Sequence, residues 1–168
     1  MTIISVLVVD DHTLFRDGLS AILTTVPDIE VVGEAGTGRE AVAQVKALAP
    51  EVVLMDINMP DLNGIEATQQ ILAAKPNTGV IMLTMLEDND SLFAAMCAGA
   101  RGYILKGADK AEVLKTIRAV AEGEALFGPA IASRLTSFFQ NSGGMAHQNE
   151  GVSPFPDLTD REREEVGS

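Results

Sequence analysis

The chain has 168 residues, of which 46 % are hydrophobic and 21 % charged, proportions that are typical of a globular protein. No apolar run reaches the roughly 20 residues of a membrane span, and the N-terminus has neither a basic leader nor a small-residue cleavage site. The net charge of −12 opposes binding to nucleic acid by this polypeptide, and Cys97 as the sole cysteine excludes an internal disulfide and favours a cytoplasmic setting.

Short apolar runs alternate with amphipathic segments over the first three quarters of the chain. The runs are rich in β-branched residues and apolar at successive positions, which is typical of strands buried on both faces of a parallel sheet. They cover residues 3–9, 29–34, 52–55, 80–83 and 103–105. Helical spacing predicts helices over residues 14–25, 38–48, 64–74, 88–98 and 109–122. This strict alternation predicts a doubly wound α/β domain with a five-stranded parallel sheet and helices on both faces.

The composition changes after this alternating region. We predict a first domain over residues 1–124 and a linker over 125–157, with a short helix at 130–140. Residues 158–168 contain the segment LTDRERE, whose threonine and glutamate have the spacing of a capping box, so that another helix is predicted to begin there.

Polar residues follow or end four of the five predicted strands. The first strand leads into Asp10 and Asp11, the third into Asp56, the fourth into Thr84 and the fifth into Lys106. The carboxyl ends of parallel strands lie at one edge of an open sheet, which is the edge where such sheets bind ligands. We therefore expect these five side chains to lie close together.

Three carboxylates in one pocket repel one another, and a divalent cation removes the conflict. Oxygen ligands with room for water and phosphate favour Mg2+ over Ca2+ or Zn2+. A carboxylate beside the metal can attack phosphorus, a lysine can offset the developing charge, and a threonine hydroxyl can donate to a phosphoryl oxygen. Each residue also has an ordinary alternative, since strand-end aspartates often cap helices and a single lysine is usually solvated. The interpretation depends on all five converging.

The segments VLVVDDH, MDINMPDLNG, LTM and GYILKG resemble the signature motifs of response-regulator receiver domains. The resemblance covers residues 3–122 and implies a flavodoxin-like (CheY-like) fold with strand order 2-1-3-4-5. It implies that Asp56 is the phosphoacceptor and that Mg2+ is the cofactor. Asp10 and Asp11 match the acidic metal pocket, with Asp11, Asp56 and the backbone carbonyl of Asn58 as the implied direct ligands.

The same resemblance assigns a switch. Thr84 and Tyr103 match the family's switch pair, and Lys106 matches the family lysine. Phosphorylation is then expected to draw Thr84 toward the phosphoryl group and to let Tyr103 turn inward, although Tyr103 could equally be a static interface residue. The fourth helix, fifth strand and fifth helix would form the surface that changes.

The segment LTDRERE resembles the start of the helix-turn-helix domain of NarL/FixJ-type, also called LuxR-type, regulators. This implies transcription regulation by a longer parent protein, whose DNA-binding output domain is truncated here. The implied partners are a sensor histidine kinase, a second copy on phosphorylation, and DNA through the output domain alone; no membrane partner is expected. The chain is expected to be a regulatory phospho-switch and not an enzyme that turns over a substrate.

Three other readings stay open on the residues alone. A haloacid-dehalogenase-type phosphatase also uses a nucleophilic aspartate with Mg2+, but that nucleophile follows the first strand, with a second aspartate two residues later. A flavodoxin-like flavin binder is disfavoured because the acidic loop at Asp10 and Asp11 would repel a flavin phosphate. A receiver that is never phosphorylated is the third.

Three further residues carry smaller expectations. Met85 follows Thr84 where many receivers have a small residue, and we hypothesise that its bulk narrows access to the phosphoryl group. Cys97 is expected to be a small buried residue on the fourth helix. His12 is expected to be a loop residue at the start of the first helix, with a ligand role as the lesser alternative.

Overall fold

The structure is a computed structural model that describes residues 2–85 and 89–127. Strands and helices alternate along this part of the chain, so that one crossover helix connects each strand from β1 to β5 to the next strand. In chain order the elements are β1 Ile4–Val9, α1 Thr13–Leu23, β2 Ile29–Ala35, α2 Gly38–Leu48, β3 Val52–Asp56, α3 Gly64–Ala74, β4 Gly79–Thr84, α4 Asn89–Cys97, β5 Gly102–Leu105, α5 Lys110–Ala121 and β6 Leu126–Phe127.

All neighbouring strands in the sheet are parallel, and the strand order is β2-β1-β3-β4-β5-β6. The predicted doubly wound architecture and the order 2-1-3-4-5 are therefore confirmed. The two-residue strand β6 was not predicted. It pairs with the outer edge of β5, where Tyr103 lies opposite Phe127.

The two faces of the sheet are buried by different helices. Alternate residues of the central strands, such as Val6, Val8 and Leu54, join a core cluster with apolar residues of α1 and α5. The residues between them, such as Leu7 and Met55, are equally buried and face the opposite side, because successive side chains of a strand alternate. All residues of β3 and β4 are buried, which explains why these strands are apolar at successive positions up to the polar residues Asp56 and Thr84 that end them.

Local side-chain contacts fix where three helices begin. The Thr37 hydroxyl accepts a hydrogen bond from the Glu40 N–H at the start of α2, and Asp109 does the same for Glu112 at the start of α5. Asn63 and Glu66 form a complete capping box at the start of α3. Helix α3 starts just after the loop that follows Asp56, so its capping box also anchors that loop.

Several expectations differ from the structure or fall beyond it. Cys97 is exposed, and not buried as expected. The predicted helix at 130–140, most of the linker at 125–157 and the segment 158–168 lie outside the described residues, so the domain boundaries stay predictions. Among the described residues, no helix is both long and apolar enough to cross a bilayer.

Candidate metal centre at the carboxyl edge of the sheet

The parallel sheet brings all five predicted strand-end residues to one edge. Asp56 is the last residue of β3 and lies opposite Leu83, the residue before Thr84 at the end of β4. The Lys106 N–H donates to the Thr84 carbonyl at 2.8 Å, which extends the pairing of β4 and β5 by one step. Asp10 continues β1, since its N–H donates to the Ala35 carbonyl of β2 at 3.0 Å.

Acidic side chains from two loops meet at this edge. Carboxylate oxygens of Asp10, Asp11 and Asp56 and a ring nitrogen of His12 all lie within 4.8 Å of one another. The Asp10 side chain is fully buried and that of Asp56 is 3 % exposed, whereas those of Asp11 and His12 reach solvent. His12 Nδ1 lies 3.0 Å from Asp10 Oδ1 and 3.3 Å from Asp11 Oδ1. The loop histidine therefore lies against the acidic cluster.

The cation of the pocket is Lys106, whose side chain is only 7 % exposed. Its Nζ lies 2.8 Å from Asp10 Oδ2 and 3.5 Å from Asp56 Oδ2. The same ammonium sits 4.8 Å from the centroid of the Phe15 ring on α1, a distance suited to a cation–π contact. One lysine thus offsets two buried carboxylates.

The charges and the burial of the pocket shift the pKa of Asp56. Burial, followed by the negative charge of Asp10, raises the pKa of Asp56 to about 6, because both disfavour a second anion in this space. The nearby charge of Lys106 and the hydrogen bond from the Asn58 N–H lower the pKa but do not cancel the increase. An additional positive charge beside Asp56 would therefore stabilise its ionised form.

The residues present fit a divalent cation. The Oδ2 atoms of Asp10 and Asp56 are buried and share one cation, since Lys106 Nζ lies 2.8 Å from the first and 3.5 Å from the second. Two buried carboxylates with one ammonium between them are only partly compensated, which favours an additional cation. Carboxylates and carbonyl oxygens are the ligands that Mg2+ uses in proteins, which suits this oxygen-rich cluster better than a zinc site.

The loop after Asp56 is held by close backbone contacts. The Asn58 N–H donates to Asp56 Oδ1 at 3.2 Å, and the Gly64 N–H donates to the Ile57 carbonyl at 2.9 Å. A Cβ on Gly64 would collide with the Asp56 carbonyl oxygen and lie 2.8 Å from Ile57 Cα. Glycine at this position therefore lets the start of α3 pack directly against the backbone that carries Asp56.

The loop after β1 is held by a residue that the sequence did not single out. The Asp10 Oδ1 accepts the His12 N–H at 2.8 Å, which closes a local turn. Arg16, on the first turns of α1, donates from Nη1 to the Asp10 carbonyl at 2.7 Å. Its Nε donates to Glu34 Oε1 at 3.1 Å. No local pattern could have shown this, because one acceptor is a backbone carbonyl.

Of the proposed switch residues, Thr84 ends β4 at this edge, and Tyr103 lies two residues before Leu105 on β5. Thr84 and Tyr103 are both buried, on adjacent strands β4 and β5. The Tyr103 side chain is already buried in this conformation, so the expected inward rotation cannot start from it. Met85 is 71 % exposed and lines a cavity of about 340 Å³ together with Thr84, Lys106 and Gly107. Its side chain therefore stands beside the pocket and is not part of the core.

Comparison with known proteins agrees with this geometry. Residues 6–118 match the model of the response regulator receiver domain. The transcriptional regulatory protein LiaR of Bacillus subtilis is 40 % identical over 161 residues, covering 96 % of this chain and 74 % of LiaR. The response regulator GacA of Pseudomonas aeruginosa is 38 % identical over 160 residues, covering 95 % of this chain and 72 % of GacA.

Solved structures give the same result. A LuxR-family two-component response regulator from Aurantimonas sp. SI85-9A1 superposes with a TM-score of 0.78 at 31 % identity, covering 82 % of this chain and 98 % of that one. The receiver domain of the putative response regulator NarL from Mycobacterium tuberculosis gives 0.71 at 31 % identity, covering 74 % and 100 %. The chain belongs to the response regulator receiver family, and its relatives are regulators of the LuxR/NarL type.

Proposed function

We propose that Asp56 accepts a phosphoryl group from the phosphohistidine of a sensor kinase in a Mg2+-dependent reaction. The observation that carries this proposal is the convergence of three carboxylates and one lysine at the carboxyl edge of the sheet, with Asp56 buried and its pKa raised to about 6. A carboxylate with a pKa near 6 is mostly ionised at neutral pH, and its negative charge is only partly compensated by Lys106, so it is available as a nucleophile.

The proposed transfer assigns one task to each residue. An oxygen of Asp56 forms the new bond to phosphorus while the P–N bond of the phosphohistidine breaks, and the electron pair leaves with the imidazole. Asp10, Asp11, Asp56 and the backbone carbonyl of Asn58 would hold Mg2+, which supplies positive charge for the phosphoryl oxygens. Lys106 lies close enough to Asp56 to stabilise the charge that develops on the transferred group.

The readout would be a change in β4 and β5. In the proposed phosphorylated state the Thr84 hydroxyl donates to a phosphoryl oxygen and Tyr103 is held in its buried position. The two residues lie on adjacent strands, and β4 and β5 are paired through Thr84 and Leu105. The surface formed by α4, β5 and α5 would then favour one arrangement of its partners, which include a second copy of the chain.

In the longer parent protein this change would control a LuxR-type DNA-binding domain and therefore transcription, in the cytoplasm. The relative LiaR is named a transcriptional regulatory protein, and the chain matches it over 74 % of its length. The proposed role is regulatory, with no substrate turned over beyond the chain's own phosphoryl group. Hydrolysis of phosphate monoesters at multiple turnovers would contradict this part of the proposal and favour a phosphatase.

The test is incubation with Mg2+ and acetyl phosphate, followed by intact mass spectrometry. We expect the wild type to gain one phosphoryl group and Asp56→Asn to gain none. Asp61→Asn is the matched control, because Asp61 lies five positions further along the same loop but is exposed and paired with Arg39. Labelling of Asp56→Asn, or none in the wild type, would contradict the assignment.

A further inference from the structure

The guanidinium of Arg16 connects three parts of the fold at the metal pocket. It extends from α1, donates to the backbone carbonyl of Asp10 at 2.7 Å, and donates to Glu34 Oε1 on β2 at 3.1 Å. Its side chain is 19 % exposed, so most of it is enclosed. A Cβ on Gly36 would lie 3.1 Å from Arg16 Nη1, so the small residue there leaves room for the guanidinium.

Asp10 is consequently held by cations at two ends. Lys106 approaches its carboxylate at 2.8 Å, and Arg16 binds its main-chain carbonyl. The peptide that follows this carbonyl leads into Asp11, so the orientation of the carbonyl also sets the direction of the next residue. A held carbonyl therefore restricts the backbone that carries both acidic residues of the loop.

We propose that Arg16 is a positioning residue for the metal pocket, which holds Asp10 and Asp11 in the arrangement that binds Mg2+. This inference rests on the proposed function, because it concerns the metal on which phosphorylation depends. Partners that orient metal ligands from behind commonly change metal affinity by 10- to 100-fold when they are removed. Arginine suits this position because its planar group reaches two acceptors at fixed angles, which lysine cannot do.

The sign of the effect separates positioning from simple electrostatics. Removing a positive charge near a cation site strengthens cation binding if charge alone matters, because the repulsion is lost. Losing the orientation of the acidic loop weakens binding. The two explanations therefore predict opposite changes in Mg2+ affinity for Arg16→Met, a variant that keeps most of the apolar stem.

The experiment measures Mg2+ binding by isothermal titration calorimetry, well below the melting temperature of every variant. We expect Arg16→Met to bind Mg2+ about tenfold more weakly than the wild type. We expect Arg16→Lys to be weakened as well, since it keeps the charge and loses the double contact. The control is Arg118→Met. Arg118 lies on α5, away from the pocket, and its Nε donates at 2.8 Å to Asp28 Oδ2, on the residue just before β2.

The outcomes are distinct. Weaker Mg2+ binding by both Arg16 variants, with affinity kept in Arg118→Met, supports the positioning role even if all variants melt at similarly lower temperatures. Unchanged or tighter binding by Arg16→Met overturns it while leaving the proposed function intact. Equal weakening by Arg118→Met also overturns it, because the loss would then follow general destabilisation. A wild type that binds no Mg2+ overturns both this inference and the proposed function.

Discussion

Lys106 lies closer to Asp10 than to Asp56, at 2.8 Å against 3.5 Å. Among the described residues, Lys106 is the only lysine in the pocket. Its ammonium therefore compensates the charge of Asp10, the buried aspartate that follows β1, more than the charge of Asp56. Asp56 is left with less compensation, and the charge of Asp10 further raises its pKa, which reaches about 6. Asp56, the proposed phosphoacceptor, is thus the less compensated of the two buried carboxylates.

Removing the lysine should separate metal binding from phosphoryl transfer. In Lys106→Met we expect Mg2+ to bind as tightly as in the wild type or more tightly, because a competing positive charge is lost. We expect phosphorylation by acetyl phosphate to be slower by at least about tenfold, since the charge beside the transferred group is gone. Calorimetry and timed intact-mass measurements check the two effects. Lys110→Met, an exposed lysine that bonds Thr25, is the control and should change neither.

Replacing Asp56 should change stability in a pH-dependent way. The carboxyl is neutral in both states below the unfolded pKa near 4. As the pH rises through the folded pKa of about 6, the folded protein must ionise a buried group, and the contribution of Asp56 to stability is lost. We therefore expect Asp56→Asn without Mg2+ to be more stable than the wild type at pH 8, by about 2 kcal/mol.

Denaturant unfolding at pH 5, 6.5 and 8 measures this difference. The difference in stability between Asp56→Asn and the wild type should shrink toward pH 5. At that pH most folded wild-type molecules carry a protonated, uncharged Asp56, which resembles asparagine. Mg2+ should raise the stability of the wild type at pH 8 more than that of Asp56→Asn, because the asparagine removes one ligand. A difference that grows on acidification would show that the pKa of Asp56 is lowered, and not raised, in the folded protein.

The packing of α3 on the Asp56 loop makes Gly64 sensitive to substitution. Gly64→Ala places a methyl group against the Asp56 carbonyl oxygen and Ile57 Cα, and we expect it to lower the free energy of unfolding by about 2 kcal/mol. It should also slow phosphorylation, since the displaced backbone carries the acceptor. Gly18→Ala is the contrasting variant. Apart from its two chain neighbours and the backbone of its own helix, no described residue comes within 4 Å of the added methyl group, and the helix α1 should gain about 0.5–1 kcal/mol.

The exposed position of Met85 gives the hypothesis about access a direct test. Its exposed side chain lines a cavity together with Thr84 and Lys106, the two residues proposed to contact the phosphoryl group. We expect Met85→Ala to be phosphorylated by acetyl phosphate faster and to lose the phosphoryl group faster. The stability should be nearly unchanged, because the side chain is not in the core. Rates no faster than those of the wild type would refute the hypothesis.

The sheet was predictable because its strands are buried on both faces. An unbroken apolar run such as residues 52–55 leaves little choice of structure, and polar residues at the ends of such runs mark the carboxyl edge. The convergence of Asp10, Asp56 and Lys106 followed from the parallel arrangement alone. Their proposed roles still await the experiments above.

What the sequence missed depends on contacts that leave no periodic signal. The role of Arg16 involves a backbone carbonyl, which every residue has, so no pattern marks it. The strand β6 has two residues, too few for any alternation to be read. Cys97 was placed inside from residue type, yet α4 turns Leu92 and Ala95 inward and leaves Cys97 in solvent.

The short strand β6 also covers part of one edge of the sheet, the outer side of β5. The outer side of β5 would otherwise present unpaired backbone groups at Gly102 and Tyr103, which are the groups that invite another chain to add a strand. Leu126 and Phe127 occupy that position within the same molecule, and the Leu126 N–H donates to the Arg101 carbonyl at 2.8 Å. A second copy could add a strand at Gly102 and Tyr103 only after displacing β6.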